Sequence, residues 1–167
     1  MKNRPLAPKG GNDNVMTPDY LATKIVGHFS PSGKILEPCS GDGAFIRAMA
    51  KYNKKCFSCE ISKGTDFFQW DSKVDWIVTN PPWSQLRNFL NHSMNVSDNV
   101  VFLCLINAFF MKARIRDMQE HNFGIVEILH LPQPDKEFNW PQTGFGLGAI
   151  WIKRNWSGPI NNNLSKL

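Results

Sequence analysis

Val74-Asp75-Trp76-Ile77-Val78-Thr79-Asn80-Pro81-Pro82-Trp83 decides how this chain is read. The apolar run over residues 74–78 predicts a buried strand. Thr79 to Trp83 then sit where a strand ends and a loop opens. Two consecutive prolines fix φ and remove two backbone donors. The residue before each proline is also pushed away from helical geometry. The outcome is a stiff, extended turn whose carbonyls are free to accept hydrogen bonds. Asn80 adds a side-chain carbonyl, and Trp83 adds a large flat face. Acceptors beside an aromatic surface suit a planar group carrying an NH₂. The same residues also read as an ordinary Pro-Pro turn with a core tryptophan.

Outward from this corner, strand and helix signals alternate. A helix is expected over 17–28, opened by Thr17-Pro18-Asp19 as cap, first-turn proline and acid. A short strand follows at 35–36, then a loop over 37–43 and a helix over 44–52. Strands are expected at 55–61, 67–68, 74–78, 100–106, 125–130 and 147–152, with helices at 85–94 and 108–121. Such alternation predicts one mostly parallel sheet covered by helices. Residues 1–14 read as a flexible arm, 15–155 as the single catalytic domain, and 156–167 as a polar, frayed tail.

Composition sets limits. The 167 residues suit one domain with a normal core, and 42% hydrophobic residues exclude a disordered chain. The net charge of +5 leans toward an anionic partner such as nucleic acid. Cys56 and Cys59 have zinc-like spacing, yet no second Cys/His pair completes a site, so no metal is expected. The four cysteines read as reduced thiols of a cytosolic protein. No secretory leader is expected ahead of the fold. The longest apolar stretch, 100–111, is interrupted by Asn107 and too short to span a bilayer. The chain is therefore expected in the cytoplasm of a bacterial or phage-infected cell.

Ligands in such sheets sit at the carboxyl ends of the strands, and this chain concentrates its unusual residues there. Glu37 precedes Gly41-Asp42-Gly43, whose glycines let backbone approach a ligand closely. The third glycine of a dinucleotide loop is absent, and Glu37 would repel a pyrophosphate while suiting a cationic ammonium. Glu60 is placed to accept from ribose hydroxyls. Asp66-Phe67 offers an acceptor for an adenine amine and a flat neighbour for its ring. Asn80-Pro81-Pro82-Trp83 closes the series. Singly each is weak, since Gly-Asp-Gly is a common turn and Glu60 could simply be solvated. Together they mark four successive strand ends.

With these residues in place, the sequence resembles the S-adenosylmethionine-dependent amino-methyltransferases that modify adenine N6 in DNA. It is most similar to the subgroup whose cofactor helix precedes the glycine loop. Thr17-Pro18-Asp19-Tyr20-Leu21, then Ile35-Leu36-Glu37-Pro38-Cys39-Ser40-Gly41-Asp42-Gly43-Ala44-Phe45, then Thr79-Asn80-Pro81-Pro82-Trp83 match that order. The resemblance covers about residues 15–155. It implies a class I, Rossmann-like methyltransferase fold with an antiparallel last strand. It also implies methyl transfer from S-adenosylmethionine to the adenine N6 amine of DNA.

By position, the resemblance puts Glu37 at the methionine ammonium and Thr17 near the methionine carboxylate. Pro38, Ser40, Gly41 and Gly43 would shape the methionine pocket. Glu60 would bind the ribose; Asp66 and Phe67 would hold the cofactor adenine. Asn80 and the Pro81 carbonyl would accept from the target amine, with Pro82 stiffening the corner and Trp83 stacking on the base. A second aromatic is implied in the loop before the final strand: Phe138 or Trp140, with Trp140 at the better distance. Both also read as plain loop anchors. Lys112, Arg114 and Arg116 read either as phosphate contacts or as a solvated helix face. Cys39 lies in the cofactor loop and lacks the surroundings of a methyltransferase nucleophile.

Three departures from the family pattern stand out. Only five residues separate Glu60 from Asp66, so the sheet is expected to be trimmed at that edge and the cofactor adenine loosely held. No target-recognition domain is expected after the catalytic part, so specificity is expected to be low or to come from short loops, a partner chain or a homo-oligomer. Trp83 replaces the commoner Tyr or Phe. Rival readings are adenine N6 in RNA, cytosine N4, a protein glutamine amide, or a silent methyltransferase-like binding subunit.

Overall fold

Seven segments, six of them rich in apolar residues, pair into one sheet in the computed structural model, which describes residues 15–165. They are β1 (Ile35–Glu37), β2 (Cys56–Ser58), β3 (Val74–Thr79), β4 (Ser97–Leu105), β5 (Phe123–Leu131), β6 (Leu147–Arg154) and β7 (Asn161–Leu164). The order across the sheet is β2-β1-β3-β4-β6-β5-β7. β2, β1, β3 and β4 pair in parallel, β6 runs antiparallel to both β4 and β5, and β7 pairs in parallel with β5.

The period-two alternation of the long strands splits the core in two. Val100, Phe102 and Cys104 pack into one apolar cluster with Leu86, Phe89, Leu90 and Met94. Those four belong to helix α3 (Leu86–Val96), after α1 (Asp19–Phe29) and α2 (Ala44–Lys51) in chain order. Val101 and Leu103 pack on the opposite face against Leu21, Ile25, Phe45 and Met49 of α1 and α2. Helices therefore cover both faces, as the alternating pattern requires. α1 and α2 are joined by Arg47, whose Nε and Nη2 reach Asp19 at 3.0 and 2.6 Å. They also approach closely at Gly27, where a Cβ would overlap the Tyr52 hydroxyl.

The structure differs from the sequence reading in four places. Phe67–Gln69 is a 3₁₀ turn rather than a strand, because the Asp66 carboxylate caps it by accepting from the Phe68 N–H at 2.9 Å. Among the described residues no strand lies outside β2, which is the trimmed edge. The expected helix over 108–121 is broken into α4 (Ile106–Phe109) and α5 (Lys112–Glu120). Met111 is extended (ψ 137°) at the break, and Arg114 Nη1 donates back to the Ala108 carbonyl at 2.7 Å. Past Asn155, β7 continues the sheet where a frayed tail was expected; Glu127 to His130 supply its ladder partners. Finally, the strand at 55–61 shortens to β2, because Glu60 turns the chain by accepting from the Ser62 N–H. The expected arm over 1–14 lies outside the described residues.

Candidate active site

The parallel strands end together, and their loops enclose a cleft with about 810 Å³ of space, counted out to its open mouth. Its wall takes Pro38, Cys39 and Gly41 from the β1 loop, Glu60 and Ile61 from the β2 exit, and Asp66, Phe67 and Phe68 from the capped turn. Asn80 and Pro82 close it from the end of β3, and Val15 and Met16 from the approach to α1. The topology thus gathers the four expected strand-end groups around one space.

The β1 loop is held by side chains acting on backbone. Gly41 (φ 50°) and Gly43 (φ 93°) occupy the left-handed region that glycine tolerates. A Cβ at Gly41 would come within 3.0 Å of Met16 Sδ, so the loop and the entering segment close on each other. The Gly41 N–H donates to Glu60 Oε2 at 2.7 Å, and the Ser62 hydroxyl donates to Glu60 Oε1 at 2.7 Å. Glu60 thereby ties two loops together. Partial burial pushes its carboxyl up, but the bonds from Ser62 and Gly41 and the nearby Lys63 ammonium outweigh that and leave its pKa below the usual value.

Glu37 is not on the cleft surface. It lies behind Pro38 and Cys39, 1% exposed, with Oε1 accepting from the Cys39 N–H at 3.0 Å. Its Oε2 is buried without a hydrogen-bond partner. Thr79 Oγ1 faces the carboxyl and partly offsets the burial without completing a bond. Burial dominates and pushes the Glu37 pKa up to about 8. An orphaned buried carboxyl oxygen is costly unless a donor reaches it. Burial also pushes the Cys39 thiol up, with Glu37 adding to the effect, which keeps it protonated and unsuited to attack.

The corner itself is more tightly organised than its sequence suggests. Asn80 Nδ2 donates to Thr17 Oγ1 at 3.1 Å, across 63 residues of chain. Trp83 Nε1 donates to Asn80 Oδ1 at 3.2 Å and approaches the Leu103 carbonyl at 3.4 Å. Thr17 therefore does not cap α1; the Pro18 carbonyl does, accepting from Leu21 and Ala22. The Pro82 carbonyl accepts from the Gln85 N–H at 2.9 Å, which leaves it one lone pair and fixes the turn after the corner.

Of the expected substrate contacts, the structure separates members of each pair. Trp140 is 3% exposed and packs edge-on against Trp83, with centroids 5.8 Å apart, so it is a core anchor. Phe138 is the exposed partner of the two, tilted against Tyr20 at 5.8 Å. Arg114 folds back onto α4, and Arg116 faces Glu120 at 3.8 Å; Lys112 remains exposed. Ser40 takes part through its backbone, donating to the Cys59 carbonyl at 3.0 Å and accepting from Gly43 at 2.7 Å. Phe67 is buried and stacked on Phe89 (5.4 Å, 21°), presenting only part of its ring to the cleft.

Sequence reasoning did not single out Met16, Ile61, Phe68 or Phe89. Ile61 is 75% exposed although it lies on the cleft. An isoleucine directly after a strand-end carboxylate was the available signal.

No protein-family model matches the chain, and no curated protein matches it. Solved structures do. A protein of Listeria monocytogenes assigned to the class I S-adenosylmethionine-dependent methyltransferases superposes with a TM-score of 0.63 at 12% identity, over 93% of this chain and 68% of that one. A chain of a type I R-M system gives 0.65 at 15% identity, over 93% of this chain and 45% of that one. The 23S rRNA methyltransferase ErmE gives 0.62 at 12% identity, over 86% and 72%. With the strand order, the antiparallel β6 and the cleft at the strand ends, these likenesses establish that the chain has the class I methyltransferase fold.

Proposed function

We propose that this protein binds S-adenosylmethionine in the cleft and methylates the exocyclic N6 amine of adenine in DNA. The observation that carries the reading is the Asn80-Pro81-Pro82 corner at the end of β3, opening onto a cleft walled by carboxylates and apolar rings. The residues that line the cleft fit the cofactor. Glu37 stands behind the cleft wall, so its orphaned Oε2 would meet a methionine ammonium only with the Pro38-Cys39 loop displaced. Glu60 and Asp66 offer acceptors for ribose hydroxyls and an adenine amine, while Ile61, Phe67 and Phe68 flank the ring. What the cofactor supplies when bound is a methyl group already activated on a sulfonium.

The protein's own task is then to prepare the nitrogen. An adenine amine is a poor nucleophile because its lone pair is conjugated into the ring. Asn80 Oδ1 and the Pro81 carbonyl accept its two hydrogens and favour a pyramidal nitrogen with a localised lone pair. Holding the amine in place contributes much of the rate, since positioning is worth about 7–11 kcal/mol in well-oriented systems. A base taken from a duplex must flip out, at a cost of a few kcal/mol. Stacking on an aromatic returns about 1–3 kcal/mol of it; Trp83 or Phe138 provides the ring. The net charge of +5 supports an anionic polymer as acceptor. One structural neighbour comes from a type I R-M system and another acts on 23S rRNA, so RNA is the nearest competitor.

The test is to incubate the protein with radiolabelled S-adenosylmethionine and separate DNA, RNA and protein acceptors. Label on DNA as N6-methyladenine, lost in Asn80→Ala, is expected. Label confined to RNA or protein would refute the DNA assignment. A second reading rests on the Trp83 contact, which already engages Asn80 Oδ1. In that reading the chain binds cofactor as a silent subunit of a larger assembly, and all three acceptors stay unlabelled.

A further inference from the structure

The corner holds a contact that the expected role of Trp83 as a stacking surface does not use. An asparagine amide is nearly two-fold symmetric in shape, so packing alone does not decide which end faces a ligand. The wrong end would turn an NH₂ donor toward a substrate amine that is itself a donor. An indole nitrogen can only donate. The atom of Asn80 beside Trp83 Nε1 must therefore be Oδ1, and Nδ2 must face Thr17, as the bonds at 3.2 and 3.1 Å show. A phenylalanine at this position offers no donor. A threonine hydroxyl both donates and accepts, so Thr17 by itself leaves the flip undecided.

We propose that Trp83 and Thr17 are positioning residues that lock the Asn80 amide from both ends, so that Oδ1 keeps one lone pair aimed at a single hydrogen of the target amine. The inference rests on the reading above of Asn80 as the amine acceptor. An amide oxygen has two lone pairs. The indole takes one, so it does not compete with the substrate for the other. The lock is also built into the fold. Thr17 is fixed ahead of α1 by burial (8% exposed), and Trp83 is wedged between both apolar clusters and against Trp140. The three residues thus join the approach to α1, the end of β3 and the turn after it.

Two independent readouts test this. In ¹⁵N-labelled protein, the Trp83 indole N–H resonance should shift in Thr17→Val, although the indole N–H bonds to Asn80 and Leu103 and not to Thr17, because the change passes through the amide. Thr17→Ser should restore it. In kinetics, Trp83→Phe keeps an aromatic ring but removes the donor. It should lower kcat about tenfold, the usual worth of one such hydrogen bond, with KM and cofactor affinity within about twofold of the parent. Melting temperatures close to the parent's confirm that the variants fold. An indole resonance unmoved by Thr17→Val overturns the lock, and so does a Trp83→Phe enzyme with the parent's kcat. If the parent methylates nothing, the proposed function fails, and the resonance experiment alone decides whether the lock exists.

Discussion

β4, β6 and β5 run for nine, eight and nine residues, whereas β1 and β2 manage three each. The long half is joined by backbone ladders and by side chains buried on both faces: Phe102, Leu103, Ile150 and Ile152 are fully enclosed. The short half has brief ladders, and its loops are held in addition by side chains that reach to backbone. Glu60 holds Gly41, Glu37 holds Cys39, and Asp66 holds Phe68. A ladder fixes position through repetition and tolerates little exposure. Loops tied by single carboxylates leave backbone and acceptors available to a ligand. The protein puts its longest ladders in one half of the sheet and the proposed chemistry at the end of the other.

The largest effect expected from this contrast is on stability, in the long half. Phe102→Ala should cost about 3–5 kcal/mol, read from the denaturant midpoint, because it leaves a cavity between rigid strands. A loss under about 1 kcal/mol would mean that the long half is not the anchor. Next comes Asn80→Ala, which should reduce methyl transfer about 100-fold or more, as for other single groups that stabilise a transition state, while leaving unfolding near the parent's. Equal loss of stability and rate would dissolve the distinction between the halves.

The third expectation concerns pH. Glu37 is pushed up to about 8 in the folded chain from an ordinary value of 4.5. The native state then binds more protons than the unfolded chain between those values, so stability falls as pH rises. The melting temperature of the ligand-free protein should drop from pH 5 to pH 8 and level off above. Glu37→Gln should flatten this slope; the same slope in the variant would show that another group controls it. The smallest effect belongs to Ile61→Ser at the exposed rim. It should shift stability by no more than about 0.5 kcal/mol, as surface substitutions do. Titration should nevertheless show weaker S-adenosylmethionine binding, and unchanged affinity would remove Ile61 from the site.

The same contrast explains what the sequence made legible. The long strands announce themselves by apolar runs, and the Pro-Pro corner by residues that constrain the backbone on their own. The parallel order and the covering helices followed from these, while the trimmed edge came from the five residues between Glu60 and Asp66 set against the pattern of the family that the sequence resembles. The capped turn at Phe67 did not, because two adjacent phenylalanines suit a strand until Asp66 is seen to accept from the Phe68 N–H. The break between α4 and α5 was hidden for a similar reason: residues 108–121 contain neither glycine nor proline, and the interruption depends on Arg114 reaching a carbonyl six residues back. Trp140 was set above Phe138 by its distance along the chain, and only packing against Trp83 shows it to be internal. Thr17 was expected near a ligand carboxylate; its bond to Asn80 spans a separation that no local pattern encodes.

Gly27 sits far from any reacting group, yet the Tyr52 phenol lies where a side chain at that position would go. α1 begins after Thr17 and Pro18, and α2 begins after Gly43, so both helices start beside the cleft and meet again at their far ends. A methyl group at position 27 would meet only the free end of the Tyr52 side chain, which is 43% exposed and can swing into solvent, so the ring gives way before the helices do.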